Sequence, residues 1–413
     1  MGKLGRGRRG RSGVKSGNGI GEGTGVFRRH VLYVPGYDPF PPRRYRELYR
    51  KEGAAQAAIS GYELAIRARP GTAGGWCVTS CMEQAAEAEM EVLVWSDLVK
   101  SSMERGVLGT YLLFFRTAWV YGASGALWRL LRLRKGPMIA ALYPAVLLAG
   151  QALVAMLAGW IVARLAGGGW AGLGLALAVG FAVLEGFRRI DRRLFVYYLM
   201  HDYAYTAVAR GAYPAALADR LAQFRGRVRA AMESGVDEVL VVGHSSGVHL
   251  AVSVLADLIR EGVPPGPSLG FLSLGQVVPM ASFLPEARKL RGDLLFLSQR
   301  QELTWVDVSA PGDGCCFALC DPVAVSGMAT EGQRWPLVIS AAFSQTLSPE
   351  RWQHLKRRFF RLHFQYLCAF DQPGDYDYFR ITAGPLTLAE RYAGRRPSPG
   401  RVAQACSPYR DMA

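Results

Sequence analysis

The sequence predicts an α/β fold: a mostly parallel sheet flanked by helices, with an inserted hairpin of two membrane-spanning helices. Three observations carry this. Short β-branched runs alternate with segments of helical spacing. The pentapeptide Gly243-His244-Ser245-Ser246-Gly247 stands between one such run and one such helix. Two uncharged stretches follow each other between residues 138 and 184. With 413 residues, 50% of them hydrophobic, the chain has ample material for one enlarged domain and its core.

Residues 1–27 form a basic tail of Gly, Arg and Lys with a few Ser, without the apolar run of a signal peptide. Its first 26 residues are expected to be disordered and to touch acidic lipids. The first part of the folded domain spans 28–105. His30–Val34 reads as a short buried strand ending in Pro35-Gly36-Tyr37-Asp38, and Arg43–Ser60 has helical character. Glu91–Trp95 reads as a further strand, closed by Ser96-Asp97.

The insert covers 106–200. Met138–Ala163 carries no charge and exceeds the roughly 20 apolar residues a spanning helix needs. Leu165–Leu184 is also uncharged, and Gly167, Gly168 and Gly169 mark the turn, so spans are expected near 138–163 and 170–187. Strands on both sides of the insert must join one sheet, which requires an even number of crossings. Gly106–Trp128, interrupted by Arg116, is therefore read as an interfacial helix or a lid. Arg129, Arg132, Arg134 and Lys135 precede the hairpin, and Arg188, Arg189, Arg192 and Arg193 follow it, whereas its tip holds only Arg164. The positive-inside rule then puts the folded domain on the cytoplasmic side of an integral membrane protein.

The net charge of +16 calls for an anionic partner. The basic residues crowd the tail, the flanks of the hairpin and Lys356–Arg361, and no zinc finger or RNP-like signature is present. A membrane surface, and no nucleic acid, is the expected partner. Seven cysteines (Cys77, Cys81, Cys315, Cys316, Cys320, Cys368 and Cys406) lack the spacing of a disulfide framework or a metal site. They are read as buried thiols in a reducing compartment, with no metal and no cofactor.

The second part of the domain spans 201–390, and 391–413 reads as a tail. A helix over Pro214–Ser234 leads into the strand Val239–Val242. After the pentapeptide, Val248, Val252, Leu255 and Ile259 recur at spacings of three and four, so one face of a helix can pack on the sheet. Val263–Pro267 is a loop, and Leu269–Leu274, Leu303–Val308 and Pro336–Ala342 are candidate strands. A serine at the tip of such a strand-to-helix turn is exposed and strained, and Gly243 and Gly247 leave room for neighbouring chain.

Over residues 28–105 and 201–385 this pattern resembles the α/β-hydrolase superfamily of lipases and esterases, on its GHSSG nucleophile elbow and on the strand closed by Pro35-Gly36-Tyr37. The resemblance implies Ser245 as nucleophile, followed along the chain by an acid and a histidine. Three histidines follow: His249 one turn into the elbow helix, His354 inside a helical stretch Pro349–Phe360, and His363 nearer the carboxy-terminal end, where the family places its base. His363 is preferred over His354. Asp313, in Ala310-Pro311-Gly312-Asp313-Gly314, follows a strand as the family's acid does; Asp307 lies inside that strand and Asp321 opens an Asp-Pro turn. The backbone of Ser246, with Gly36 and Tyr37, would form the oxyanion hole, although the loop departs from the family's HGGG form. The resemblance thus implies a membrane-anchored serine hydrolase that cleaves an acyl ester, lipid or otherwise apolar, through an acyl-enzyme. The alternative is a catalytically silent membrane protein of this type that binds a lipid or a protein. The residues set no oligomeric state.

Overall fold

The structure, a computed structural model, describes residues 25–69 and 74–413. The expectation for residues 1–26 falls outside the described residues except for Gly25 and Val26. Eight strands follow in the chain: β1 (Phe27–Val34), β2 (Glu63–Ala68), β3 (Trp76–Cys81), β4 (Ala85–Val92), β5 (Glu238–His244), β6 (Ser268–Leu274), β7 (Thr304–Ser309) and β8 (Leu337–Ser340). They form one sheet in the order β2-β3-β4-β1-β5-β6-β7-β8. From β4 to β8 all neighbours are parallel, and β2 and β3 join antiparallel at one edge.

β5 is buried along its whole length, which is why its sequence is a continuous apolar run rather than an alternating one. Successive side chains point to opposite faces. Val239 and Val241 enter the core formed with the helices Ala215–Met232, Gly247–Arg260 and Arg288–Ser298. Leu240 and Val242 enter the other core, with Tyr45 and Tyr49 of the helix Arg43–Ser60 and with Leu362 and Tyr366. At the base of β5 the fully buried Glu238 is neutralised by Arg29 of β1, with Nε 2.5 Å from Oε2, and accepts the Leu388 N–H at 2.7 Å. The β1–β5 register sets Val34 opposite Gly243, so the loop Pro35-Gly36-Tyr37 emerges beside the pentapeptide.

The expected strand at Glu91–Trp95 is a correction of register. β4 ends at Val92, and its alternating half-buried start at Ala85 was hidden among Ala and Glu residues. Leu93 still donates to the Tyr33 carbonyl at 2.8 Å, one step past the ladder. The hairpin β2–β3 has no counterpart in the sequence reading: β2 is an exposed edge with little apolar signal, and β3, though paired on both sides, buries only alternate residues. Residues 391–413, expected as a tail, run along the domain: Val402 bridges to Cys320, and Asp411 Oδ1 accepts from the buried Arg291 at 2.9 Å.

Two helices, Lys135–Leu165 and Gly169–Arg189, are long and apolar enough to cross a membrane. Gly167, Gly168 and Gly169 between them all take positive φ (76°, 76° and 69°), a reversal that side-chain-bearing residues resist. Gly159 packs against the second helix so closely that a Cβ would lie 2.8 Å from the Ala176 carbonyl oxygen. Val146, Leu153, Met156, Trp160, Leu177 and Phe181 point outward and are exposed. The segment expected as an interfacial helix or lid is the helix Val107–Ala123. It packs Leu113 against Val196, Tyr197 and Met200 of the helix Val196–Val208 and leaves Leu108 and Trp119 exposed.

Candidate active site

Ser245 is the first residue after β5 and has φ 57°, in the left-handed region that a serine rarely enters. Its N–H donates to the Leu274 carbonyl at 2.9 Å, which anchors the strained turn to β6. The turn is possible because Gly247 lies directly against β1: a Cβ there would be 2.2 Å from the Val34 carbonyl oxygen and 2.6 Å from that of Pro35. This close crossing brings Gly36 against the serine as well. Ser245 is half-buried and lines a cavity of about 570 Å³.

The same cavity reaches His363, the last residue of the short helix Phe359–His363. His363 Nδ1 is 2.7 Å from Asp313 Oδ2. An ionised carboxylate only accepts, so the imidazole proton sits on Nδ1 and Nε2 carries the lone pair. Nε2 is buried and has no hydrogen-bond partner among the described residues. Ser245 Oγ is not hydrogen-bonded to it.

Asp313 is held from three further directions. Tyr366 Oη donates to Oδ2 at 3.1 Å, the Cys315 N–H donates to Oδ1 at 2.9 Å, and the Asp313 N–H donates to the Ala310 carbonyl at 2.9 Å. Burial by itself would push the Asp313 carboxyl up, but the adjacent His363 ring and these hydrogen bonds outweigh it and hold the acid below its ordinary value. The carboxylate is therefore ionised where it orients the imidazole. Tyr366 Oη in turn accepts the Ala310 N–H at 2.9 Å, which ties it to the loop.

The remaining candidates do not join this pair, although His249 also lines the cavity. His354 is exposed on the helix Pro349–Leu355, because the stretch expected to be helical over Pro349–Phe360 breaks at Lys356–Arg358 and resumes at Phe359. His249 is buried on the elbow helix, stacked 6.0 Å from Tyr213, and burial pushes its pKa down to about 4, so it is a neutral packing residue. Asp307 is inside β7, bonded by Ser273 Oγ at 2.6 Å and pushed up to about 8 by burial. Asp321 caps the helix Pro322–Val325 by accepting from the N–H groups of Val323 and Ala324.

The expected oxyanion hole is rearranged on one side. Ser246 heads the helix Gly247–Arg260, where first-turn N–H groups have no partner within the helix, and Gly36 and Tyr37 line the cavity. The Tyr37 N–H, however, donates to Ser246 Oγ at 2.8 Å instead of facing the cavity free. The Ser246 hydroxyl, which lines the cavity, donates no hydrogen bond among the described residues. Sequence reasoning could not see this, since it depends on how β1 crosses the elbow.

Two further residues stand beside the pair: His244, which the sequence marks only as the elbow residue before Ser245, and Asp202, which it does not single out. The His244 ring packs tilted against that of His363, with centroids 4.8 Å apart. Asp202, on the helix that follows the hairpin, lines the cavity; burial raises its carboxyl to about 7, against the lowering effect of His363. The only sequence signal for Asp202 was a lone acid in the largely apolar stretch from Val196 to Val208. Ligand atoms of Asp313, Cys315 and His363 lie within 4.8 Å of one another, the spacing of a metal site. Their chemistry fits a metal poorly: the Asp313–His363 bond already uses Oδ2 and Nδ1, and burial and the Asp313 and Asp202 charges push the Cys315 thiol up, away from the thiolate a metal needs.

Comparison of the chain with protein-family models, with curated proteins and with solved structures finds no match.

Proposed function

We propose that this protein is a membrane-anchored serine hydrolase of the α/β-hydrolase type, cleaving an acyl ester through an acyl-enzyme on Ser245. The observation that carries the reading is the convergence on one cavity of a serine in a left-handed elbow and a histidine whose Nδ1 is held by a buried aspartate. The order Ser245, Asp313, His363 along the chain and the elbow between a central parallel strand and a helix agree with it.

In this mechanism Ser245 Oγ attacks the acyl carbon as its proton passes to His363 Nε2. Asp313 stabilises the imidazolium that forms and keeps the ring in register. The negative charge on the former carbonyl oxygen is met by the N–H of Ser246 and by the Ser246 hydroxyl that Tyr37 polarises. The C–O bond to the alcohol breaks, and the alcohol leaves with the proton from His363. Water then gives a proton to His363 and attacks the acyl carbon; the bond to Ser245 Oγ breaks, His363 returns the proton to Oγ, and the carboxylic acid leaves. No cofactor enters these steps. The hairpin is read as two crossings, with the Arg-rich ends and the domain on the cytoplasmic side.

The test is labelling of the detergent-solubilised protein with a fluorophosphonate probe. Labelling of the wild type that disappears in Ser245→Ala and in His363→Ala is the expected result. A folded wild type that does not label would instead assign the protein to non-catalytic lipid or protein binding.

A further inference from the structure

The cavity around Ser245 has two unlike walls. On one side it is built from the hairpin itself: Pro137, Ile139, Ala140 and Tyr143 all belong to the first apolar helix. At a rise of about 1.5 Å per residue, this wall follows the helix from its basic start for about 12 Å toward the apolar span. Tyr143 Oη bonds the Leu194 carbonyl at 2.8 Å, so the helix is tied to the segment that closes the opposite rim. A substrate on this wall therefore lies against the part of the protein that would sit in lipid.

On the other side, the lining includes Arg193, Arg357, Arg358 and Arg361. Arg193 ends the hairpin region, whereas Arg357 and Arg358 form the break between two helices and Arg361 lies two residues before the base. All four are exposed, and none makes a side-chain hydrogen bond or ion pair with any described residue. Aromatic rings join the two segments, Phe195 packing tilted against Phe360 with centroids 4.9 Å apart, so both arginine-bearing segments meet on the cavity. The opposing charges at the cavity are few. Asp38 is already bonded by the Tyr45 hydroxyl at 2.6 Å and the Phe40 N–H at 2.9 Å, and Asp202 lies near His363.

We infer that the ligand of this cavity is an amphiphile with a phosphate-bearing anionic head group, its apolar chain along Ile139, Ala140 and Tyr143 and its head group between Arg193 and the Arg357-Arg358 turn. Guanidinium groups pair with phosphate oxygens in a bidentate way that a zwitterionic head group satisfies less well, because its own cation competes. The placement of all four arginines on the cavity, not on the far face of the domain, makes them a recognition site and not only an attraction to the bilayer surface. The inference names the substrate of the proposed hydrolase, but the binding it describes rests on the cavity alone.

The experiment uses the full chain carrying Ser245→Ala in neutral maltoside micelles, where no anionic surface exists. Fluorescent diether lipids with a phosphoglycerol or a phosphocholine head group serve as probes, their ether bonds making the readout independent of turnover. The phosphoglycerol probe is expected to bind at least about tenfold more tightly, a preference lost in Arg357→Gln/Arg358→Gln and reduced in Arg193→Gln on the opposite rim. Unchanged melting temperatures show that both variants are folded. Equal binding of the two probes, or a preference that survives in both variants, would overturn the inference. Displacement of the probe by glycerol phosphate as effectively as by the diether lipid would overturn it too, because the site would then read a soluble phosphate. Head-group preference in a protein that fluorophosphonate does not label would remove the hydrolase and leave the binding site standing; labelling without preference would do the reverse.

Discussion

His244 Nε2 lies 3.0 Å from the carbonyl oxygen of His363, so the residue before Ser245 holds the backbone of the proposed base. A carbonyl only accepts, which puts the His244 proton on Nε2. Burial first, and then the neighbouring His363, pushes its pKa down to about 3, so His244 stays neutral wherever a hydrolase works. It is a positioning residue.

His244→Ala should therefore lower kcat about tenfold, on the order of 1.4 kcal/mol, with little change in KM. The loss should be the same at every pH above about 5, since the removed group does not titrate there. Measuring kcat across pH with a nitrophenyl ester checks this. A loss that varies with pH would mean that His244 itself exchanges protons in the reaction.

Ser246 joins the two halves of the proposed oxyanion site, its Oγ accepting the Tyr37 N–H at 2.8 Å. Ser246→Ala should lower kcat by about 10- to 100-fold, roughly the loss of one oxyanion donor, and leave the melting temperature near that of the wild type. If kcat rises instead, the Tyr37 N–H freed by the substitution is the better donor.

Asp202 provides a pH-dependent stability test. Its folded pKa, raised to about 7 by burial, stands above the ordinary carboxylate value near 3.8. Between these values the unfolded chain releases the proton and the folded one keeps it, so stability falls as pH rises through this window and levels off above it. Asp202→Asn should melt with the wild type at about pH 4 and at a higher temperature than the wild type at about pH 8, as read by thermal unfolding in detergent. Coincident curves at both values would show that Asp202 is ionised in the folded protein throughout.

Gly275, at φ 52°, lies under the Asp313–His363 pair: a Cβ there would stand 2.7 Å from Tyr366 Cε2 and 3.1 Å from His363 Cε1. Gly275→Ala should cost about 1–3 kcal/mol of stability and displace the imidazole from Ser245. Fluorophosphonate labelling should slow at least about tenfold. A variant that labels at the wild-type rate would show that the ring has room to move without loss.

What could be read along the chain was whatever short-range physics imposes. The elbow was legible because a strained serine needs Gly243 and Gly247 within two residues of it, and the hairpin because an apolar span and its glycine turn are continuous in sequence. The strands β5 to β8 and the helices Arg43–Ser60 and Ala215–Met232 announced themselves through periodicity. The site needed tertiary structure. His363, His354 and His249 are chemically the same residue, and only the break at Lys356–Arg358 turns one of them toward Asp313, 50 residues earlier in the chain, and leaves another on the surface. The occupied Tyr37 N–H, the hold of His244 on His363 and the meeting of Arg193 with Arg357 and Arg358 at one cavity follow from which strands pair and where their loops emerge. Backbone pattern is enforced over a few residues by sterics and burial, whereas contacts between distant segments depend on how the whole sheet and its insert pack together.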